Sequence, residues 1–213
     1  MSEAPQVWPP EDALPALRRR PMQQRSRERV AKILDCAAAL IAERGSDAMR
    51  MSELAQMAGI SIGSLYQYFP DKSAIVRALA ENYNAQGRSC IEAGLAGVRT
   101  MDEFLEAFGG LIDTYYGIFL AEPVMRDIWS GTQADKSLRA IDLADSRANG
   151  NLLAGTLARV CPTADKPSLE ATAFLIMQLG EATMRLAVSV ERGEGDLLVG
   201  AYKRMALAEL RRF

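Results

Sequence analysis

From about Gln24 to the C-terminus, apolar residues recur three and four positions apart, and nowhere do four or more residues alternate with period two between turn signals. This confines the chain to an all-α fold. Val30, Ile33, Leu34, Ala37, Leu40 and Ile41 share one face of a first helix, predicted from about Gln24 to Arg44 and closed by Gly45. Met51, Leu54, Ala55 and Ala58 predict a short second helix that stops at Gly59, and a third runs from Ser61 to the Phe69-Pro70 stop. Asp71 caps a long fourth helix to about Ala93, and Thr100 with Glu103 forms a capping box for a fifth. Pro123 suits the first turn of a sixth, and Asp135 caps a seventh that runs toward Cys161 and Pro162. Pro167 and Ser168 open an eighth helix ending at Gly193, and Asp196 opens a ninth. About nine helices with no internal repeat are expected.

With 213 residues, 49% hydrophobic and 24% charged, the chain can bury a core without staples, which excludes disordered, collagen-like and disulfide-scaffold classes. It contains no histidine, so the usual general base and the commonest transition-metal ligand are missing. No catalytic residue, metal site or cofactor is predicted, and the chain is not expected to be an enzyme. Cys36, Cys90 and Cys161 are odd in number and far apart, which fits reduced thiols. No apolar run approaches the ~18 residues of a membrane span, and the N-terminus is acidic and proline-rich, so a cytoplasmic protein without a membrane partner is expected.

The net charge of -2 is unevenly spread: residues 1–17 sum to -3, residues 18–72 to +4 and residues 73–213 to -3. Arg18, Arg19, Arg20, Arg25, Arg27, Arg29 and Lys32 hold most of the basic excess. Such an arm suits either phosphates or solvent.

Residues 51–70, MSELAQMAGISIGSLYQYFP, place two short helices around Gly59, where a tight turn needs positive φ. Ala55 is small where two helices cross, and Ser61-Ile62-Gly63-Ser64 begins the second helix with slim residues able to approach a groove wall. This is helix-turn-helix spacing, and such a helix fits a major groove about 12 Å wide. Leu54, Ala55, Ala58, Ile60, Leu65 and Phe69 are read as packing residues.

Ala42-Glu43-Arg44-Gly45, Leu54 to Ser61 and, above all, Gly63-Ser64-Leu65-Tyr66-Gln67-Tyr68-Phe69-Pro70-Asp71-Lys72 resemble the TetR family of bacterial transcriptional regulators. The resemblance covers about the first third of the chain; the rest matches by helical layout. It implies that Ser61, Ile62, Gly63, Ser64, Tyr66 and Gln67 meet bases and phosphates, that Tyr68 touches the DNA backbone, and that Lys72 contacts a phosphate. The chemistry agrees: Gln67 can pair with an adenine edge, Ile62 can pack on a thymine methyl, and hydroxyls and Lys72 suit phosphates. Tyr66 and Tyr68 could instead pack, and Gly63 could serve a close helix contact. The chain departs from the family at Met49 and Arg50, where a threonine usually opens the second helix. Arginine has no oxygen for capping, so that helix is expected to fray or to start at Ser52, with Arg50 available to a phosphate.

The resemblance also implies three parts: a proline-rich, partly disordered arm (1–23), a DNA-binding domain (24–70) and a helical ligand-binding and dimerisation domain (71–213). Bulky soft residues gather in the last, and Phe104, Phe108, Tyr115, Tyr116, Phe119, Met125, Trp129, Phe174, Met177, Gln178 and Glu181 are the candidate contacts for an apolar or aromatic effector. Met184 and Asp113 lie close to this set, each of these residues could equally be core, and Glu181 could pair with Arg185. A homodimer is implied through Leu169, Ala173, Ile176, Gly180, Thr183 and Ala187 of the eighth helix and Leu197, Leu198, Ala201, Tyr202, Met205 and Leu210 of the ninth. The expected function is a dimeric repressor that reads a palindromic double-stranded operator and releases it when the effector binds. The alternatives are an activator, a thiol-based redox sensor, or a helical carrier or enzyme that does not bind DNA.

Overall fold

The computed structural model describes residues 14–131 and 135–213, with side chains from Arg25 onward except at Gly131. The expectations for residues 1–13, including any role of Trp8, lie outside the described residues. Nine helices and no strand are found among the described residues: α1 Leu14–Arg44, α2 Met51–Ala58, α3 Ile62–Tyr68, α4 Lys72–Leu95, α5 Met101–Ala121, α6 Pro123–Gly131, α7 Lys136–Val160, α8 Lys166–Ser189 and α9 Arg192–Leu210. Caps decide most of these boundaries. Asp71, Asp135 and Asp165 each accept a backbone N–H from the first turn they precede, and the Thr100–Glu103 capping box is complete.

Four boundaries differ from expectation. Helix α1 begins ten residues before Gln24 and carries Pro21 within it. Helix α2 starts at Met51, and Arg50 stands at its N-cap without a side-chain hydrogen bond. Helix α8 ends at Ser189 rather than Gly193, and Glu191, not Asp196, caps α9 by accepting the Gly193 N–H. The α8–α9 corner is tight because Gly195 has no side chain: a Cβ there would lie 2.4 Å from the Ala187 carbonyl oxygen. Asp196 is consequently drawn inside α9, where it accepts from Arg192 and Tyr116.

Helices α1 to α3 and the start of α4 form a head around Ile33, Ala37, Ile41, Leu54, Ala58, Leu65 and Ile75, all buried. Helix α4 leaves this head and packs on α5 and α7, α7 runs along α8, and α8 lies against α9. Helix α6 touches α1 on one side and α4, α5 and α8 on the other. Burying about 25 cal/mol per Å² of apolar surface makes this shared core the main stabilising term.

Burial corrects the predicted dimerisation face in part, for Leu197 and Met205 of α9 do lie outward. Leu169, Ala173, Ile176, Gly180 and Ala187 face inward, as do Tyr202 and Leu210 of α9. The small residues serve crossings within the subunit: a Cβ at Gly180 would lie 2.8 Å from the Tyr202 hydroxyl, and one at Gly150 would lie 2.9 Å from the Phe174 Cα. Helical periodicity located the stripe but could not say which neighbour it met. The outward apolar residues are Leu175, Leu179 and Leu186 on α8, with Leu197 and Met205 on α9.

Candidate nucleic-acid interface and interior cavity

The head turns on Gly59, whose φ of 70° lies in the left-handed region. Its N–H donates to the Gln56 carbonyl (3.1 Å) and the Ile60 N–H donates to the Ala55 carbonyl (3.0 Å), which closes α2 and aims α3 away from it. Ser61 caps α3, its Oγ accepting the Ser64 N–H at 3.1 Å. Leu65 is fully buried against the head, and most of the rest of the α3 surface is outward. Ile62 and Tyr66 lie there, 43% and 49% exposed, beside Gly63 and Gln67, and Met57 of α2 joins them at 48%. These are large apolar groups left in water with nothing in the subunit to cover them.

Of the predicted reading residues, Ser61, Ile62, Gly63, Tyr66 and Gln67 thus share an exposed end of the head, Ser64 and Tyr68 are half-buried, and Arg50 is exposed at the N-cap of α2. A Cβ on Gly63 would meet nothing within 4 Å, which removes close helix packing as its reason. The Lys72 Nζ donates to the Asp47 carbonyl at 2.9 Å and so also ties the start of α4 to the loop before α2. Met57 escaped the sequence reading because methionine at helical spacing looks like core.

A cavity of about 80 Å³ lies among α4 to α9. Phe108, Tyr115, Met125, Met177 and Glu181 line it as predicted contacts, together with Met184, and Tyr83, Cys90, Asp145, Asn149 and Tyr202 were not foreseen. Phe104, Phe119 and Trp129 are buried core away from the wall, Phe119 and Trp129 edge to face at 6.3 Å. Tyr116 donates to Asp196 at the α5–α9 contact, Phe174 lies under the Arg147 guanidinium at 4.2 Å, and Gln178 donates to the buried Ser146 hydroxyl at 2.6 Å. Asp113 points outward to Lys203.

The polar side of the cavity is a network of carboxylates. The Tyr115 hydroxyl donates to Glu181 Oε1 at 2.7 Å, and Glu181 is 8% exposed. Burial pushes the Glu181 carboxyl up to about 7, against the Tyr115 hydrogen bond and aided by the charges of Asp142 and Asp145. Burial and Glu181 likewise hold the Tyr115 hydroxyl well above its ordinary value. Asp145 accepts from Arg88 Nη2 at 2.5 Å and from Asn149 Nδ2 at 2.8 Å, while Asp142 lies 3.6 Å from Arg185. Arg185 therefore pairs across to α7 and not with Glu181 along its own helix.

Helix α6 connects this wall to the head. Met125 lines the cavity, Trp129 meets the edge of Tyr83 at 6.4 Å, and Asp127 Oδ2 accepts the Ser46 N–H at 3.0 Å in the turn after α1. No cluster able to hold a metal occurs among the described residues, and the three cysteines are free. No described helix is long and apolar enough to cross a membrane.

An exposed helix-turn-helix end joined to a cavity-bearing helical body defines the general architecture of a one-component regulator. Residues 33–79 match the model for bacterial regulatory proteins of the tetR family, and residues 102–213 match that for the tetracyclin repressor-like C-terminal domain. The chain belongs to the TetR family of bacterial transcriptional regulators. It is 36% identical over 72 residues to the HTH-type transcriptional repressor KstR of Mycolicibacterium smegmatis, covering 33% of this chain and 35% of KstR. It is 31% identical over 121 residues to the uncharacterized HTH-type transcriptional regulator YvdT of Bacillus subtilis, covering 55% of this chain and 59% of YvdT. Its matches thus span about a third to three fifths of these relatives. The crystal structure of RolR in complex with resorcinol shares the fold, with a TM-score of 0.62 at 21% identity over 89% of this chain and 94% of that one.

Proposed function

We propose that the protein is a homodimeric, ligand-responsive repressor that reads a palindromic DNA operator through α3 and releases it when a small apolar or aromatic molecule fills the cavity. The observation that carries this is the course of α4: one unbroken helix begins at Lys72 in the head and supplies Tyr83 and Cys90 to the cavity wall. A ligand that favours one tilt of this helix changes the separation of two heads, which must sit about 34–36 Å apart to read both half-sites. The coupling required is of the usual size, about 1–3 kcal/mol. Ile62, Gly63, Tyr66 and Gln67 are assigned to base edges, and Arg50, Ser61, Ser64, Tyr68 and Lys72 to the DNA backbone. The kinship with KstR, a named repressor, supports DNA binding, and the resorcinol complex of RolR supports a small ligand in this fold. The outward leucines of α8, with Leu197 and Met205, form the proposed subunit contact.

The test is a fluorescence-anisotropy titration with an inverted repeat taken from the DNA beside the coding region. Specific binding should weaken steeply with salt. Because Gly63 faces open space, Gly63→Glu should fold and yet lose at least tenfold in affinity by setting a carboxylate against the phosphates. Equal binding of wild type and variant, or no sequence preference at any salt, would refute the assignment.

A further inference from the structure

Two hydrogen-bond acceptors in the cavity wall are buried and have no partner: Glu181 Oε2 and Asn149 Oδ1. Both side chains are more than nine-tenths buried, and in each case the other polar atom is already used, Glu181 Oε1 by Tyr115 and Asn149 Nδ2 by Asp145. An acceptor left dry and unpaired costs about 1–3 kcal/mol, and more when charged. Two of them on the wall of one cavity call for a molecule that donates.

The charges narrow the donor further. Three carboxylates surround this side of the cavity, Asp142, Asp145 and Glu181, and two guanidiniums oppose them. Arg88 closes on Asp145 and Arg185 on Asp142, so among the described residues Glu181 has a neutral phenol as its hydrogen-bond donor and feels Arg185 through charge alone. The unpartnered buried donors, Arg88 Nε and Arg185 Nη1, belong to side chains outside the cavity wall that already face carboxylates. Tyr83, Phe108 and Tyr202 line the same space, and an aromatic lining suits a cation as well as an apolar body.

We propose that the effector is a compact lipophilic amine, bound as its ammonium ion with N–H groups donated to Glu181 Oε2 and Asn149 Oδ1 and its apolar part among the surrounding rings. This rests on the cavity being the effector site. The elevated carboxyl of Glu181 agrees with a site whose charge awaits a counter-ion. The cavity, about 80 Å³, limits the ligand to a single ring or a short branched chain.

The experiment is isothermal titration calorimetry of the full-length protein at pH 8 with three probes of one shape: 2-phenylethylamine, 2-phenylethanol and phenylacetate. The amine should bind at least tenfold tighter than the alcohol, with phenylacetate weakest. In Glu181→Gln, which keeps an acceptor for Tyr115 but removes the charge, the amine and alcohol should bind within about threefold of each other. If phenylacetate equals the amine, or if the amine's advantage survives in Glu181→Gln, the assignment of an ammonium ligand is wrong. Binding of the alcohol with operator release but no preference for the amine overturns this inference and leaves the repressor reading intact. No binding by any probe overturns both the amine and the cavity as effector site, while operator binding is judged separately by the anisotropy titration.

Discussion

Glu181 shows how one buried side chain couples stability to pH. Its carboxyl titrates near 7 in the folded protein against an ordinary 4.5, so between those values the folded chain holds a proton that the unfolded chain has released. Stability from this group is therefore intact below about pH 4.5, declines as pH rises through the window, and is lowest above 7. Asp142 and Asp145 face it from α7 and deepen the effect, while Tyr115 and Arg185 oppose it. In thermal unfolding without ligand, Glu181→Gln should match wild type near pH 5. At pH 8 it should be more stable by about 2 kcal/mol, allowing for the Tyr115 hydrogen bond. A constant offset between the two proteins at every pH would show that the carboxyl is not elevated.

Among the elements, α6 has the most telling position for its nine residues. It sets Met125 into the cavity wall and Trp129 against Tyr83, while Asp127 takes the Ser46 N–H behind α1. Replacing Asp127 with Ala frees that N–H and loosens α6 from the head. Operator binding should fall by no more than a few-fold, while the ligand-induced drop in affinity should shrink at least fivefold, both measured in the same anisotropy titration. An unchanged ligand response would place the coupling in α4 alone. The helices themselves were largely legible in the sequence, because caps such as Asp71, Thr100 and Asp135 and the Gly59 turn are local signals. The cavity was legible only in part. Bulk marks Phe104, Phe119 and Trp129, which are solid core, whereas Asp145, Asn149 and Tyr83 reach the wall from α7 and α4 through packing that periodicity does not encode. The end of α8 was misplaced for a similar reason: Gly193 looks like a stop, but the corner is made by Gly195 fitting against Ala187.

At the scale of the whole molecule, a near-neutral chain divides into a basic segment assigned to DNA and an acidic body assigned to the ligand, and the outer face of α8 carries the proposed subunit contact. Leu175, Leu179 and Leu186 are each 44–56% exposed along that single helix. A double variant, Leu179→Arg with Leu186→Arg, should elute as a monomer with unchanged helicity by circular dichroism. Its operator affinity should fall at least a hundredfold, since one head alone holds only a half-site. A dimer persisting in light scattering would move the interface elsewhere. The unbroken course of α4 sets what the proposed dimer would do with a small ligand. From Lys72 to Gly87 the helix rises about 22 Å at 1.5 Å per residue, and among the described residues only Gly45 and Gly59 have positive φ, so no left-handed hinge interrupts it. A rod of that length converts angle into displacement: a tilt of about 5° at the cavity end moves the far end by about 2 Å. With two rods acting in mirrored directions, the two reading heads shift by about twice that, more than a hydrogen bond to a base edge tolerates. In the proposed repressor α4 acts as a mechanical amplifier, in which a guest a few ångströms across is reported as a change of spacing between the two heads.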